Sequence, residues 1–184
     1  MSLTPTTVGQ GTQGGVKGES TLSMHETTLA IRPARFPDPD TQRLVAEVQA
    51  EYVERYGGPD ETPLDDGVFD PPGGAFFLGY LGRVPVAMGG WRRREDVHPW
   101  GCQQAAEVKR MYVASSGRRR GFARAILARL ESSARAAGAD AMVLETGTAQ
   151  PEAIALYTAM GYQQIEKFGY YAWSPQARCF GKRL

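Results

Sequence analysis

From residue 28 onward, apolar and polar positions recur with periods that define structural elements; before it they do not. Leu29 and Ile31 alternate with polar neighbours, which predicts a first strand over 28–33. Leu44, Val45, Val48 and Tyr52 recur at helical spacing, in a helix that Asp38 or Asp40 can cap and that Gly57-Gly58-Pro59 ends. The acidic, Pro- and Gly-rich stretch 60–74 reads as loop, with at most one helical turn. A hairpin follows, 75–80 and 84–92 about a turn near Gly82. Beyond a connector, 108–113 is a β-branched and aromatic strand. The helix predicted over 121–137 gathers Ile126, Leu127, Leu130 and Ala134 on one stripe, with Gly138 as its C-terminal stop. Met142-Val143-Leu144 is a short buried strand that ends at Glu145-Thr146-Gly147. Pro151 opens a further helix carrying Ile154, Leu156, Tyr157 and Met160, stopped by Gly161, and strands near 162–168 and 178–184 close the chain.

This order, β-α-loop-β-β-β-α-β-α-β-β, predicts a mixed α/β (α+β) fold with a largely antiparallel sheet and one parallel crossover. A chain of 184 residues supports one well-buried core and falls short of two typical domains, so 28–184 is expected to form one domain. Residues 1–27, rich in Gly, Thr, Ser and Gln, have too little apolar surface to offset the entropy of ordering and are expected to form a flexible tail.

The net charge of +1 conceals an asymmetry: residues 1–91 carry 6 Lys/Arg and 12 Asp/Glu, and residues 92–184 carry 15 and 8. The basic half favours an anionic ligand, whereas the near-zero total and the absence of a binding motif argue against nucleic acid. Two cysteines without a CxxC, and two distant histidines, predict no metal site. No apolar run approaches the ~20 residues of a membrane span, and the N-terminus lacks a signal-peptide pattern, so a cytoplasmic protein is expected.

The run Glu107-Val-Lys-Arg-Met-Tyr-Val-Ala-Ser-Ser-Gly-Arg-Arg-Arg-Gly-Phe-Ala123 carries the most specific chemistry. A strand enters a polar loop that ends at Arg118-x-x-Gly121-x-Ala123, and an amphipathic helix starts at once. Unpaired N–H groups and the positive end of a helix dipole then converge on one point, a site suited to phosphates. A Walker loop and a Rossmann turn both lack their required residues here. The pattern resembles the pyrophosphate loop of the GNAT superfamily of N-acetyltransferases, Arg/Gln-x-x-Gly-x-Gly/Ala. The likeness spans roughly 29–184 and is most specific over 106–162, where Ala153-x-x-Leu156-Tyr157-x-x-x-Gly161-Tyr162 resembles a second family signature. The wording Leu144-Glu145-Thr146-Gly147 and Gln150-Pro151-Glu152-Ala153, with Cys179-Phe180-x-Lys182, resembles a bacterial subgroup acting on small molecules.

The resemblance implies a central sheet splayed between two strands and flanked by about four helices, with acetyl-CoA as co-substrate and no metal. Main-chain groups of Met111, Tyr112 and Val113 would hold the pantetheine arm. Arg118, Arg119, Arg120, Gly121, Phe122, Ala123 and Arg124 would form the pyrophosphate loop, Gly121 by allowing close approach. Gln150 stands where asparagine is common. Tyr157 is the expected general acid, against the plainer reading of a core tyrosine. Glu107 is either the general base or a structural ion pair with Lys109 or an arginine, and the Val113 N–H would polarise the thioester. The expected activity is acetyl transfer to a primary amine of a small molecule, amino acid or peptide. It would proceed by direct attack in a ternary complex, since no cysteine stands in the key strand. A non-catalytic CoA-binding or regulatory module of the same fold is the alternative, and a homodimer is what the family implies. For the acceptor, Tyr56, Asp65, Asp66, Asp70, Phe168, Tyr170, Tyr171 and Trp173 suit a cationic amine, whereas Arg92, Arg93, Lys109 and Arg110 suit an acidic one.

Overall fold

The computed structural model describes residues 28–184; the tail expected over 1–27 lies outside the described residues. The elements are β1 (Ala30–Ala34), α1 (Pro39–Tyr56), β2 (Gly74–Leu81), β3 (Val84–Arg94), β4 (Ala105–Val113), α2 (Phe122–Ala136), β5 (Ala141–Gly147), α3 (Pro151–Ala159), β6 (Gln163–Ile165) and β7 (Ala177–Arg183). Their order is the one the sequence predicts. The helix count is three among the described residues rather than about four; Pro99–Gly101 and Ser115–Gly117 are short 3-10 turns. The stretch 60–74 holds turns and no helix. Asp38 does stand at the start of α1, but its carboxylate accepts from the Arg35 N–H at 2.9 Å instead of capping the helix.

One seven-stranded sheet runs β1-β2-β3-β4-β5-β7-β6, antiparallel throughout except for β4–β5. Strand alternation sends Phe77 and Trp91 to one face, where α2 supplies Ile126, Leu127 and Leu130. It sends Phe76, Leu78 and Met88 to the other, against Leu44 and Val48 of α1. Each large apolar side chain buried in these layers contributes about 1.5–3 kcal/mol.

Two irregularities shape the centre of the sheet. Gly90 pairs with Lys109 but Met88 pairs with Tyr112, so Gly89 alone opposes both Arg110 and Met111. Arg110 is the extra residue of this bulge, at φ 54. It inverts the alternation of β4: Ala106 and Val108 before it, and Met111 and Val113 after it, all pack in the layer beneath α2. The second irregularity is a splay. Pairing of β4 with β5 stops at Val108 and Leu144, after which β4 continues on β3 to Val113 and β5 continues on β7 to Gly147.

Candidate active site

The splay opens into a cleft of about 1180 Å³, bounded by β4, β5, α1, α3 and the loop before α2. Its main-chain lining follows from sheet geometry. Ala114 donates its N–H to the Val86 carbonyl at 2.9 Å, so the neighbouring pair Val113–Ala87 is a non-bonded one. The N–H and C=O of Val113, and of Met111 two residues earlier, therefore turn away from β3 toward the gap. Arg118 Nε reaches the Val113 carbonyl from that side at 3.0 Å. Tyr112, expected with these two, turns its main chain to β3, and its hydroxyl donates to Glu47 on α1 at 3.4 Å.

At one end of the cleft lies the loop before α2. Arg119 and Gly121 both have left-handed backbones, φ 58 and φ 79, a pattern that turns successive N–H groups into one concavity. Gly121 caps α2 without any side-chain hydrogen bond, and the first internal bond runs from Ala125 N–H to the Gly121 carbonyl at 3.1 Å. The amides of Phe122, Ala123 and Arg124 thus lack intrahelical acceptors. Glycine is required at 121 by the positive φ rather than by close packing, since a Cβ there would meet nothing within 4 Å. Three of the arginine side chains have partners in the protein: Arg118 with Glu51 and Val113, Arg120 over the Phe122 ring, and Arg124 with Met160 Sδ. Arg118, Arg119 and Arg124 line the cleft beside the amides that the loop presents.

Tyr157 of α3 lines the cleft beside Met111, its hydroxyl 3.9 Å from the Met111 sulfur. Burial raises its pKa, so the phenol keeps its proton. Gln150 accepts a hydrogen bond from Thr146 Oγ1 at 2.8 Å and also bonds Tyr52, whose pKa burial and then Asp60 push up to about 12.

The two carboxylates of the central strands meet opposite fates. Glu107, fully buried, does not line the cleft. Arg92 and Arg94 each stand 2.8 Å from it and Lys109 3.2 Å. Burial pushes its carboxyl up, but these three cations outweigh burial and hold it below the usual range. Of the two roles expected for Glu107, the geometry is that of the ion pair. Glu145, at the end of β5, does line the cleft, with its side chain only 6% exposed. Neither oxygen has a hydrogen bond of normal geometry, and the nearest cation, Lys109, is 4.0 Å away. Burial, reinforced by Glu107 and Asp60, raises its carboxyl above the ordinary range against the pull of Lys109 and of the Tyr171 main-chain N–H. Asp60 is ion-paired to Arg110; burial pushes its carboxyl up, yet that arginine and Thr62 bring it net below its usual value.

Of the residues expected to contact an acceptor, Tyr56, Lys109, Arg110, Tyr171 and Trp173 reach this cleft; Asp65, Asp66, Asp70, Arg92, Arg93, Phe168 and Tyr170 do not. Sequence reading did not single out Glu145 or Tyr52 as site residues, and it named Arg110 without its partner Asp60. A usable signal existed for Glu145, a carboxylate at the C-terminal end of an otherwise apolar strand, next to the one parallel crossover. Among the described residues no group of His, Cys, Asp and Glu is placed to hold a metal ion, and no helix is long and apolar enough to cross a membrane.

A sequence profile of the acetyltransferase (GNAT) family matches residues 41–162. Over 78 residues, 42% of this chain and 51% of the relative, the sequence is 45% identical to an IAA acetyltransferase of Azospirillum brasilense. It is 27% identical to human N-acetyltransferase 8 over 131 residues, 71% of this chain and 57% of that protein. The chain thus spans little more than half the length of these curated relatives. A solved structure from Klebsiella pneumoniae, provisionally described as an acyl-CoA N-acyltransferase, superimposes with a TM-score of 0.69 at 26% identity, covering 86% of this chain and 99% of that one. The matched profile, the splayed sheet and the amide-lined loop before α2 together identify the chain as a member of the GNAT family of acetyltransferases.

Proposed function

We propose that the protein is an acetyl-CoA-dependent N-acetyltransferase that acetylates a primary amine of a small molecule. The observation that carries this reading is the continuity of one cleft. It joins the unpaired amides at the start of α2 to the buried carboxylate of Glu145, with Tyr157 and the gap-facing main chain of Met111 and Val113 along the way. The first end suits a pyrophosphate, with the amides from Arg119 to Arg124 as donors. The main chain of Met111 and Val113 suits the amides of a pantetheine arm, bound as an added strand. Arg118 would then yield the Val113 carbonyl it occupies. Gln150, fixed by Thr146 and Tyr52, borders the same arm.

Glu145, in place of Glu107, is our proton acceptor. A raised carboxyl pKa brings a base nearer to the working pH, whereas Glu107 is held ionised by three cations. The ammonium of the acceptor loses a proton to Glu145, and the free amine attacks the thioester carbon. A C–N bond forms and the C–S bond breaks, the amine's second proton passing to the departing sulfur, with the developing oxyanion facing the Val113 N–H. Tyr157 serves the departing sulfur. Its raised pKa lies above that of a thiol, ordinarily about 8.5, so full proton transfer is uphill and the phenol acts foremost as a hydrogen-bond donor to the thiolate.

Calorimetric titration with acetyl-CoA, and with 3′-dephospho-CoA as control, tests the cofactor site, and thiol release with a panel of amines tests turnover. Micromolar binding with amine-dependent release is expected. Binding without release for any amine would favour a non-catalytic CoA-binding module, and no binding would remove the reading.

A further inference from the structure

Resting on that acetyl-transfer reading, we propose that the acceptor is a primary amine with an apolar or aromatic body and no carboxylate beside the amine. The sequence offered two opposed cues, a set of basic residues and a set of acidic and aromatic ones. The structure disposes of the basic set. Arg92 lies 2.8 Å from Glu107, and Arg93 bonds Gln104 and the Ala137 carbonyl; neither lines the cleft. Lys109 does line it but sits closer to Glu107, 3.2 Å, than to Glu145, 4.0 Å. Arg110 keeps one unpartnered Nε, yet its charge is matched by Asp60, and an incoming carboxylate would compete with a partner already fixed in place.

What remains is acidic and aromatic. Glu145 is more than nine-tenths buried, faces the cleft and has no side-chain donor at hydrogen-bond distance, with only the Tyr171 main-chain N–H drawn toward it. An ammonium supplies what its carboxylate lacks, a charged donor at short range. A carboxylate on the same carbon would be brought up against Glu145 and Asp60, and like charges in a poorly solvated site repel strongly. Around this carboxylate the cleft is walled by rings. Tyr52 and Tyr56 have centroids 6.3 Å apart on α1. Opposite them, the Tyr171 hydroxyl accepts the Glu61 N–H at 2.7 Å and so ties the loop before β2 to the segment before β7. Trp173, 78% exposed, stands at the rim. Rings of this kind pack an apolar body and add cation–π attraction for the ammonium end.

The test uses the full chain and two matched pairs, phenylethylamine with phenylalanine and tyramine with tyrosine, titrated calorimetrically into protein saturated with CoA. Acetyl-CoA binding, measured first, reports on the underlying reading by itself. The decarboxylated member of each pair should bind at least about tenfold more tightly, and the ratio of kcat/KM in thiol release should follow. Glu145→Gln should weaken amine binding by a similar factor with the Kd for acetyl-CoA unchanged. With acetyl-CoA bound normally, equal or tighter binding of the amino acids, or no binding of either amine, overturns the proposed class. Tighter binding of spermidine than of phenylethylamine overturns the apolar body. Absence of acetyl-CoA binding would remove the transferase reading along with it.

Discussion

Lys109 and Glu145 face each other across the splay at 4.0 Å, too far for a hydrogen bond and near enough for strong attraction. The same ammonium lies 3.2 Å from Glu107, which also holds Arg92 and Arg94. Two neighbouring strands thus carry two buried carboxylates whose surroundings push their pKa values apart, Glu107 downward and Glu145 upward. Such a split assigns different tasks to chemically identical groups.

The pH dependence of kcat/KM follows from this split. A base must be deprotonated to act, so the acidic limb of the profile should lie above the ordinary glutamate range of about 4.3. The groups acting on Glu145 are Lys109 and the Tyr171 main-chain N–H, which favour its charge, and Glu107 and Asp60, which oppose it. Lys109→Met removes the favourable charge and leaves Glu107 less compensated, so the limb should move to higher pH. A limb that stays in place or moves down would contradict the assignment.

Glu145→Gln should trade activity for stability. Removal of a general base costs typically 10²–10⁴ in rate. The folded pKa of Glu145 is raised above its unfolded value, so the folded state resists losing that proton as pH rises. Ionisation above the unfolded pKa therefore weakens folding, and a neutral glutamine escapes this. The variant should melt higher than the parent at neutral pH, with the gap closing below about pH 4. Thermal scans across pH together with turnover check both halves.

Glu107→Gln should have the opposite signature. Loss of one partner from a buried ion cluster costs about 3–5 kcal/mol, and in a chain of this size each kcal/mol lowers Tm by about 2–4 °C. Because the folded pKa of Glu107 is depressed, its contribution is present above the unfolded pKa and fades as pH falls through the folded one. The difference in Tm between variant and parent should therefore shrink in acid. If the variant melts like the parent while kcat falls a hundredfold, the base is Glu107 after all.

Tyr157→Phe separates chemistry from packing. The hydroxyl makes one long contact, to the Met111 sulfur, so its loss should leave the stability within about 1 kcal/mol of the parent. A donor that acts only on the departing sulfur should appear in kcat, by about 10²-fold or more, with the Kd for acetyl-CoA nearly unchanged. Equal losses in binding and kcat would instead mark a wall residue.

Much of the proposed phosphate end of the site was legible in the sequence, because it is local. Gly121 and the helix that begins at Phe122 lie within a few residues of each other, and the amides they expose belong to that same short segment. Tyr157 was legible for the same reason, as one position on a helix between Pro151 and Gly161. The acceptor end was not. Its key relationships join Arg92 to Glu107, Asp60 to Arg110 and Lys109 to Glu145, on segments up to fifty residues apart.

Glu107 shows where local reading stops. With a period of two it shares a face with Met111 and Val113, and so belongs beside the thioester. The bulge at Arg110 adds one residue between them and puts Glu107 on the other face, among its three cations. By itself the sequence determined the order of elements, the two faces of each helix and the amide-lined loop, since these follow from periodicity and chain-local backbone chemistry. Only the tertiary structure decided which carboxylate is left without a partner. That depends on a bulge and a splay, which exist only once β3, β4 and β5 have paired.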